Sequence, residues 1–230
     1  MVDVAGNYRR ILERIDEAAV KRGRNPTEVK LLGAAKAQSV ASVRAAIAAG
    51  VSLIGENYVQ EAQEKKAQIP QSVEWHMIGH LQRNKAKAAV EIFDLIESLD
   101  SVGLARELEK QGERIGKEIR ALVEVNLAGE ESKSGIAKAD LAPLLEAIAE
   151  FNHVTVEGLM TVPPFREDPE ETRPYFRELS ELKAKFNGQR IPHVDLQELS
   201  MGMTHDYPVA VEEGATIVRI GTALFGPREA

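Results

Sequence analysis

The sequence predicts an α/β fold of one domain over residues 1–230, a (β/α)₈ TIM-type barrel with an extra N-terminal helix. Three observations predict it. Short apolar runs alternate with amphipathic helical patterns eight times along the chain. Strands separated by helices imply parallel pairing through right-handed crossovers, and eight such units in 230 residues fit a small closed barrel. The turn after the first strand, "GAAKAQS", lacks the glycine fingerprint of dinucleotide-binding folds, which weakens a doubly wound open sheet as the alternative.

The elements follow in order. Val4, Tyr8, Ile11, Leu12, Ile15 and Ala19 form one apolar helical face, expected to pack across the barrel. "RGRNPTE" breaks that helix, and the run from Val29 to Ala35 is strand one, ending at Lys36. "SVASVRAAIAAG" is a helix in which Ser39 offers an N-cap and Gly50 a stop. "VSLIGE" is strand two, and "NYVQEAQEKKAQ" its helix. "EWHMIG" and "FDLIESL" are strands three and four, followed by the helical "LQRNKAKAAVEI" and "SVGLARELEKQGERIG". "IRALVEVNL" is strand five, then a polar loop "AGEESKSG" and the helix "ADLAPLLEAIAEF". "VTVEGLM" is strand six, and the next helix starts at "DPEE", with Asp168 as N-cap and Pro169 in the first helical position. "HVDLQELS", the short helix "HDYPVAVEEG" and "ATIVRIG" complete strands seven and eight. Trp75 and Phe93 are expected in the core.

Composition narrows the function. Apolar residues are 43% and charged residues 28%, an ordinary globular balance. A net charge of -7 argues against a nucleic-acid-binding surface, so basic "RNKAK" reads as a solvated helix face. The absence of cysteine excludes disulfides, thiolate metal sites and a cysteine nucleophile, and fits a cytoplasmic setting. The N-terminus is charged and amphipathic, without a signal-type apolar core, and no stretch approaches membrane-spanning length, so no membrane association is expected. His76 and His80 lie across a strand and its end rather than on one helix face, so no metal site is expected.

In such barrels the chemistry sits at the C-terminal strand ends. Lys36, Asn57, His80, Asn126 and Ser200 fall there. Leu32, Ala34 and Lys36 share a strand face, with the small Ala34 beneath the lysine. An amine so placed can condense with a carbonyl as a Schiff base. The plainer reading is a lysine emerging into solvent. Arg219 lies within the apolar "TIVRIG", where an arginine needs a partner. Gly221 and Thr222 then open the last helix, and backbone amides there suit a phosphate. "LSMGMT" adds Ser200 and Gly202. The plainer reading is two tight turns and an arginine paired with a carboxylate such as Glu198. Together, lysine, arginine and glycine turns at one mouth point to a phosphorylated carbonyl ligand.

"GENYVQE", "WHMIGHLQRNK", "GLM" and "LSMGMTHDYPVAVEEGATIVRIGTALFG" closely resemble the pyridoxal phosphate homeostasis protein family, over almost the whole chain. The resemblance implies a barrel related to the N-terminal domain of alanine racemase, with pyridoxal 5'-phosphate (PLP) on Lys36. It implies that Ser200, Gly221 and Thr222 hold the phosphate, that Arg219 lies near the pyridine ring or phosphate, and that Asn57 lies beside the cofactor. Around the lysine the family reads close to "SKTKP", whereas this chain reads "AKAQS", without the hydroxyls and the proline.

The reading that follows is a PLP-binding protein of intracellular cofactor homeostasis. It holds PLP as a lysine aldimine without substantial turnover, with apo PLP-dependent enzymes as candidate recipients. The alternatives are a PLP-dependent amino-acid racemase using Lys36 and a cofactor-free Schiff-base aldolase. Against the racemase, the chain ends just after strand eight, where the racemase domain that supplies a second, tyrosine base would begin. Of Tyr8, Tyr58, Tyr175 and Tyr207, only Tyr58 and Tyr207 are expected near the mouth. His80 either orients a ligand or caps the next helix, and Lys133 either meets a phosphate or is an exposed loop lysine.

Overall fold

Each barrel strand pairs in parallel with its neighbours, because a helical crossover separates every consecutive pair. The computed structural model describes residues 2–130 and 133–227. Helix α1 spans Val4–Lys21 and strand β1 Lys30–Ala34, followed by α2 (Val40–Ala49) and β2 (Leu53–Glu56). Next come α3 (Val59–Gln68), β3 (Glu74–Met77), α4 (Ala86–Ile92), β4 (Leu95–Leu99) and α5 (Val102–Ile115). The second half comprises β5 (Ile119–Asn126), β6 (Ile136–Ala137), α6 (Leu141–Ile148), β7 (Val154–Met160) and α7 (Arg173–Asn187). It finishes with β8 (Val194–Met203), α8 (Tyr207–Glu212), β9 (Ile217–Ile220) and α9 (Thr222–Phe225). The strand order is β4-β3-β2-β1-β9-β8-β7-β5, and a β4–β5 pairing closes the barrel.

Local chemistry sets the boundaries. Ser39, Ser101 and Asp168 accept amides of the first turns that follow them, as N-caps do, and Gly50 ends α2 in the left-handed region. Pro169 opens a short 3-10 turn that leads into α7. The two-residue β6, too short to show periodicity, pairs with the end of β5 through Val125 and Asn126. Within the loop before it, Glu131 and Ser132 lie outside the described residues.

The core has two layers. Leu32, Leu53, Leu95, Leu122, Met160 and Ile217 fill the barrel interior. The outer strand faces pack on the helices, with Trp75 and Phe93 buried as expected. Gly55 makes room inside, since a Cβ there would lie 2.4 Å from Leu32 Cδ2.

Helix α1 does not lie across the barrel. It packs in the outer ring against α2, α8 and α9. The reason is the brevity of α9, which leaves a gap in the ring between α8 and α2. Asn7 Nδ2 donates to Leu224 O at 2.9 Å, Lys21 Nζ meets Glu212 Oε1 at 2.6 Å, and Tyr207 is sealed with Arg14 5.3 Å from its ring. Tyr207 therefore belongs to this outer packing and not to the mouth.

Candidate functional site

Strand β1 ends at Ala34, and Lys36 follows in a turn closed by Gln38 N donating to Ala35 O at 2.9 Å. Ala37 takes the left-handed region there, with φ of 59°. The Lys36 side chain is half-buried, and its Nζ lies 5.2 Å from the centre of the Tyr58 ring. Tyr58 is exposed at the start of α3.

On β9, alternation brings Ile217 and Arg219 into the barrel, with Arg219 opposite Leu32 of β1. Arg219 is buried. Its Nη1 donates to Ser200 Oγ at 2.7 Å and its Nη2 to Thr161 O at 2.8 Å. Ser200 Oγ in turn donates to Glu97, and the other Glu97 oxygen accepts from His76 Nδ1 at 2.6 Å. A charged chain thus runs through the barrel from His76 to Arg219. Burial lowers the Arg219 pKa, opposed by Glu97, Glu124 and Asp206. Arginine starts so high that it stays cationic at neutral pH. Burial disfavours a charged His76, but the bonds and charges of Glu74 and Glu97 outweigh it and hold His76 up at about 9. Burial likewise opposes ionised Glu97, yet His76, Arg219 and Ser200 keep it below the usual carboxylate range.

Two expectations are corrected here. Glu198 does not pair with Arg219: it meets Lys30 Nζ at 2.6 Å and Thr216 at the opposite end of the barrel. Ser200 is fully buried between Glu97 and Arg219, so its hydroxyl already donates to one and accepts from the other. A phosphate there would face the Glu97 carboxylate. The hydroxyl that does reach the last helix is Thr204, whose Oγ1 accepts from Ala223 N at 3.2 Å. Among the described residues the Gly221 and Thr222 amides have no protein acceptor. They are the free donors expected of a first helical turn. Gly221 lies against the strand end that carries Lys36: a Cβ on it would be 3.7 Å from Ala34 O and 3.9 Å from Ala34 Cβ.

Asn57 follows β2, half-buried, with its backbone against Gly79, where any Cβ would lie 2.6 Å from Asn57 O. It lines a cleft of about 340 Å³ with Tyr58, Gly79 and His80. His80 pairs with Asp100 at 2.9 Å. Asn126 Nδ2 donates to Glu130 O at 2.8 Å and so shapes the loop after β5, while Lys133 pairs with Glu130 at 3.3 Å. Glu124, one strand step below Asn126, is buried, and that burial raises its pKa to about 7 despite nearby Arg219 and His80.

The fold and the mouth define a class. Residues 9–229 match the family model described as alanine racemase, N-terminal domain. A pyridoxal phosphate homeostasis protein of Aquifex aeolicus is 46% identical over 221 residues, covering 96% of each chain. A crystal structure of a protein from Bifidobacterium adolescentis is 34% identical, with a TM-score of 0.89 over 98% of this chain and 97% of that one. PipY of Synechococcus elongatus, solved with PLP bound, is 39% identical, with a TM-score of 0.82 over 92% of this chain and 100% of that one. The chain belongs to the pyridoxal phosphate homeostasis protein family.

Proposed function

We propose that this protein binds PLP through Lys36 and serves intracellular PLP homeostasis as a holder of the cofactor rather than as an enzyme. The observation that carries this is the meeting of two elements across the β1–β9 pair. The Lys36 turn and the free amides of Gly221 and Thr222 abut at Ala34, with Arg219 directly beneath. PipY, a relative of this chain, was solved with PLP bound, which supports the same ligand here.

Residues take the following roles. Lys36 would carry the cofactor, its amine condensing with the aldehyde group with loss of water. Gly221, Thr222 and Thr204 hold the phosphate, with Thr204 in the place first expected of Ser200. Arg219 faces the ring nitrogen, and Asn57 flanks the ligand. The bound cofactor supplies an electron sink, but a permanent cation at the ring nitrogen disfavours its protonation and weakens that sink. The recipients are apo PLP-dependent enzymes of the cytoplasm. Titrating the purified protein with PLP and recording its visible spectrum tests the reading. An aldimine band supports it, and a Schiff-base aldolase shows none.

Gly221→Val is expected to weaken PLP binding at least tenfold, whereas Thr222→Ser keeps it within about twofold. Tenfold is about 1.4 kcal/mol, near one charge-assisted hydrogen bond. A Gly221 Cβ meets nothing closer than Ala34, at ordinary contact distances of 3.7 and 3.9 Å, so a valine there clashes with no backbone but projects beside Ala34 at the mouth. Equal titration curves for the two proteins count against this phosphate site.

One observation favours some residual proton exchange, as a racemase would require: Glu124, raised to about 7 and so partly protonated at neutral pH, is buried and inward-facing below the mouth. Tyr58, by contrast, sits on Lys36 itself, and Tyr207 is sealed under α1. PLP-loaded protein incubated with L-alanine in heavy water is expected to form D-alanine at well below about 1 per second, the lower end of ordinary enzyme turnover. Faster racemisation overturns the non-enzyme reading.

A further inference from the structure

The turn that carries Lys36 has no side chains of its own to hold it. Ala35 and Ala37 flank the lysine, and Ser39 is spent on capping α2. Yet Ala37 adopts a left-handed conformation that is unfavourable for an L-residue and persists only where its surroundings enforce it. The enforcement comes from β2 and α3. Lys65 Nζ donates to Ala35 O at 2.8 Å, to Glu56 Oε1 at 2.6 Å and to Glu61 Oε2 at 3.2 Å. The same Glu61 oxygen accepts from Ala37 N at 3.1 Å. The peptide carbonyl before Lys36 and the amide after it are therefore both tied to one ion cluster. Lys65 and Glu56 are buried, while Glu61 is about one-third exposed, with a side-chain accessibility of 34%.

Stability alone does not call for this arrangement. A buried ammonium and carboxylate roughly balance their own desolvation when paired. Here the pair also reaches outward to the two main-chain groups that flank Lys36, from Lys65 directly to Ala35 O and through the Glu61 carboxylate to Ala37 N. We propose that Lys65, Glu56 and Glu61 are positioning residues that fix the Lys36 turn and thereby set how readily its amine condenses with an aldehyde. The inference rests on the assignment of Lys36 as the PLP-bearing lysine.

The test compares wild type with Glu61→Ala, Glu61→Gln and the double variant Glu56→Gln/Lys65→Met. The double variant removes both buried charges together and so leaves no unpaired buried ion, since the remaining Glu61 carboxylate reaches solvent. Each protein is titrated with PLP, measuring borohydride-reducible adduct, and separately with pyridoxine 5'-phosphate, which keeps the ring and phosphate but has no aldehyde. Glu61→Ala and the double variant are expected to form adduct at least about tenfold more slowly and weakly. Glu61→Gln, whose amide oxygen still accepts from Ala37 N, restores most of the wild-type behaviour. Binding of pyridoxine 5'-phosphate stays within about twofold in every variant. Wild-type adduct formation in both Glu61→Ala and the double variant overturns the proposal. So does a parallel loss of pyridoxine 5'-phosphate binding, because that marks a general structural role. A wild-type protein that forms no adduct, or forms one unchanged after Lys36→Ala, overturns the PLP-on-Lys36 reading itself and is told apart from the other outcomes by that control.

Discussion

Lys36→Ala is expected to abolish the borohydride-reducible pyridoxyl adduct and the visible aldimine band while leaving the fold intact. The fold survives because the Lys36 ammonium makes little structural contact. Its contact is the half-exposed Tyr58 ring, and a cation–π contact at such a site is worth about 0.5–1 kcal/mol. Other lysines do not substitute for it. Lys65 is buried with its ammonium engaged by three acceptors, and Lys133 is paired to Glu130 on the loop after β5. Non-covalent affinity through the Gly221–Thr222 amides remains, so PLP still binds but is released by dialysis. Absorbance before and after dialysis, beside a thermal melt, checks both halves of the expectation.

Glu97→Ala has the largest expected effect on stability. Glu97 is fully buried and is the anion between His76 and the Ser200–Arg219 pair. Its removal leaves Arg219 without its buried counter-ion and takes from His76 a partner that holds it charged, inside a largely apolar barrel. Breaking such a pair costs about 3–5 kcal/mol, which lowers Tm by roughly 10 °C in a protein of this size. A cofactor affinity loss accompanies it, since Ser200 and Arg219 lose their anchor. The same network sets a pH dependence. The folded pKa of His76, about 9, lies above its unfolded value of 6.5. Its stabilisation is therefore complete below the unfolded value and is lost as pH rises through about 9. Glu124, raised from 4.5 to about 7 in the folded state, acts in the same direction: stability falls as pH rises between those values. The melting temperature of wild type is expected to decline from pH 5 to pH 9. A Glu124→Gln protein should lose the lower part of that slope, and a His76→Gln protein the upper part. A flat profile contradicts the network.

Most of the fold was legible because its signals are local. Apolar runs mark the strands, and Ser39 and Asp168 mark helix starts by their hydrogen-bonding side chains, as Gly50 marks a helix end by its left-handed backbone. What escaped depends on register. β8 runs on to Met203, past Ser200, with an irregularity against β9 between those residues. That extension moves Ser200 down into the barrel and leaves Thr204 at the mouth, a shift that neighbouring motif letters do not reveal. Glu198, one inward step below Ser200, is carried to the far rim for the same reason. Glu97 draws no notice as a strand residue, and His76 is weighed only as a metal ligand. An acid inside "FDLIESL" and a histidine inside "EWHMIG" were the available signals, because a charge on a buried strand demands a partner. The Lys65 clamp was hidden differently: its partners are main-chain groups, and sequence shows no acceptor there. Helix α1 was placed wrongly because only the brevity of α9 opens its slot.

The most direct measurement is peptide mapping of the wild-type protein after loading with PLP and reduction with borohydride. The account predicts one pyridoxyl group per chain, on the peptide that contains Lys36. Stoichiometric label on any other lysine, with Lys36 unmodified, would contradict it.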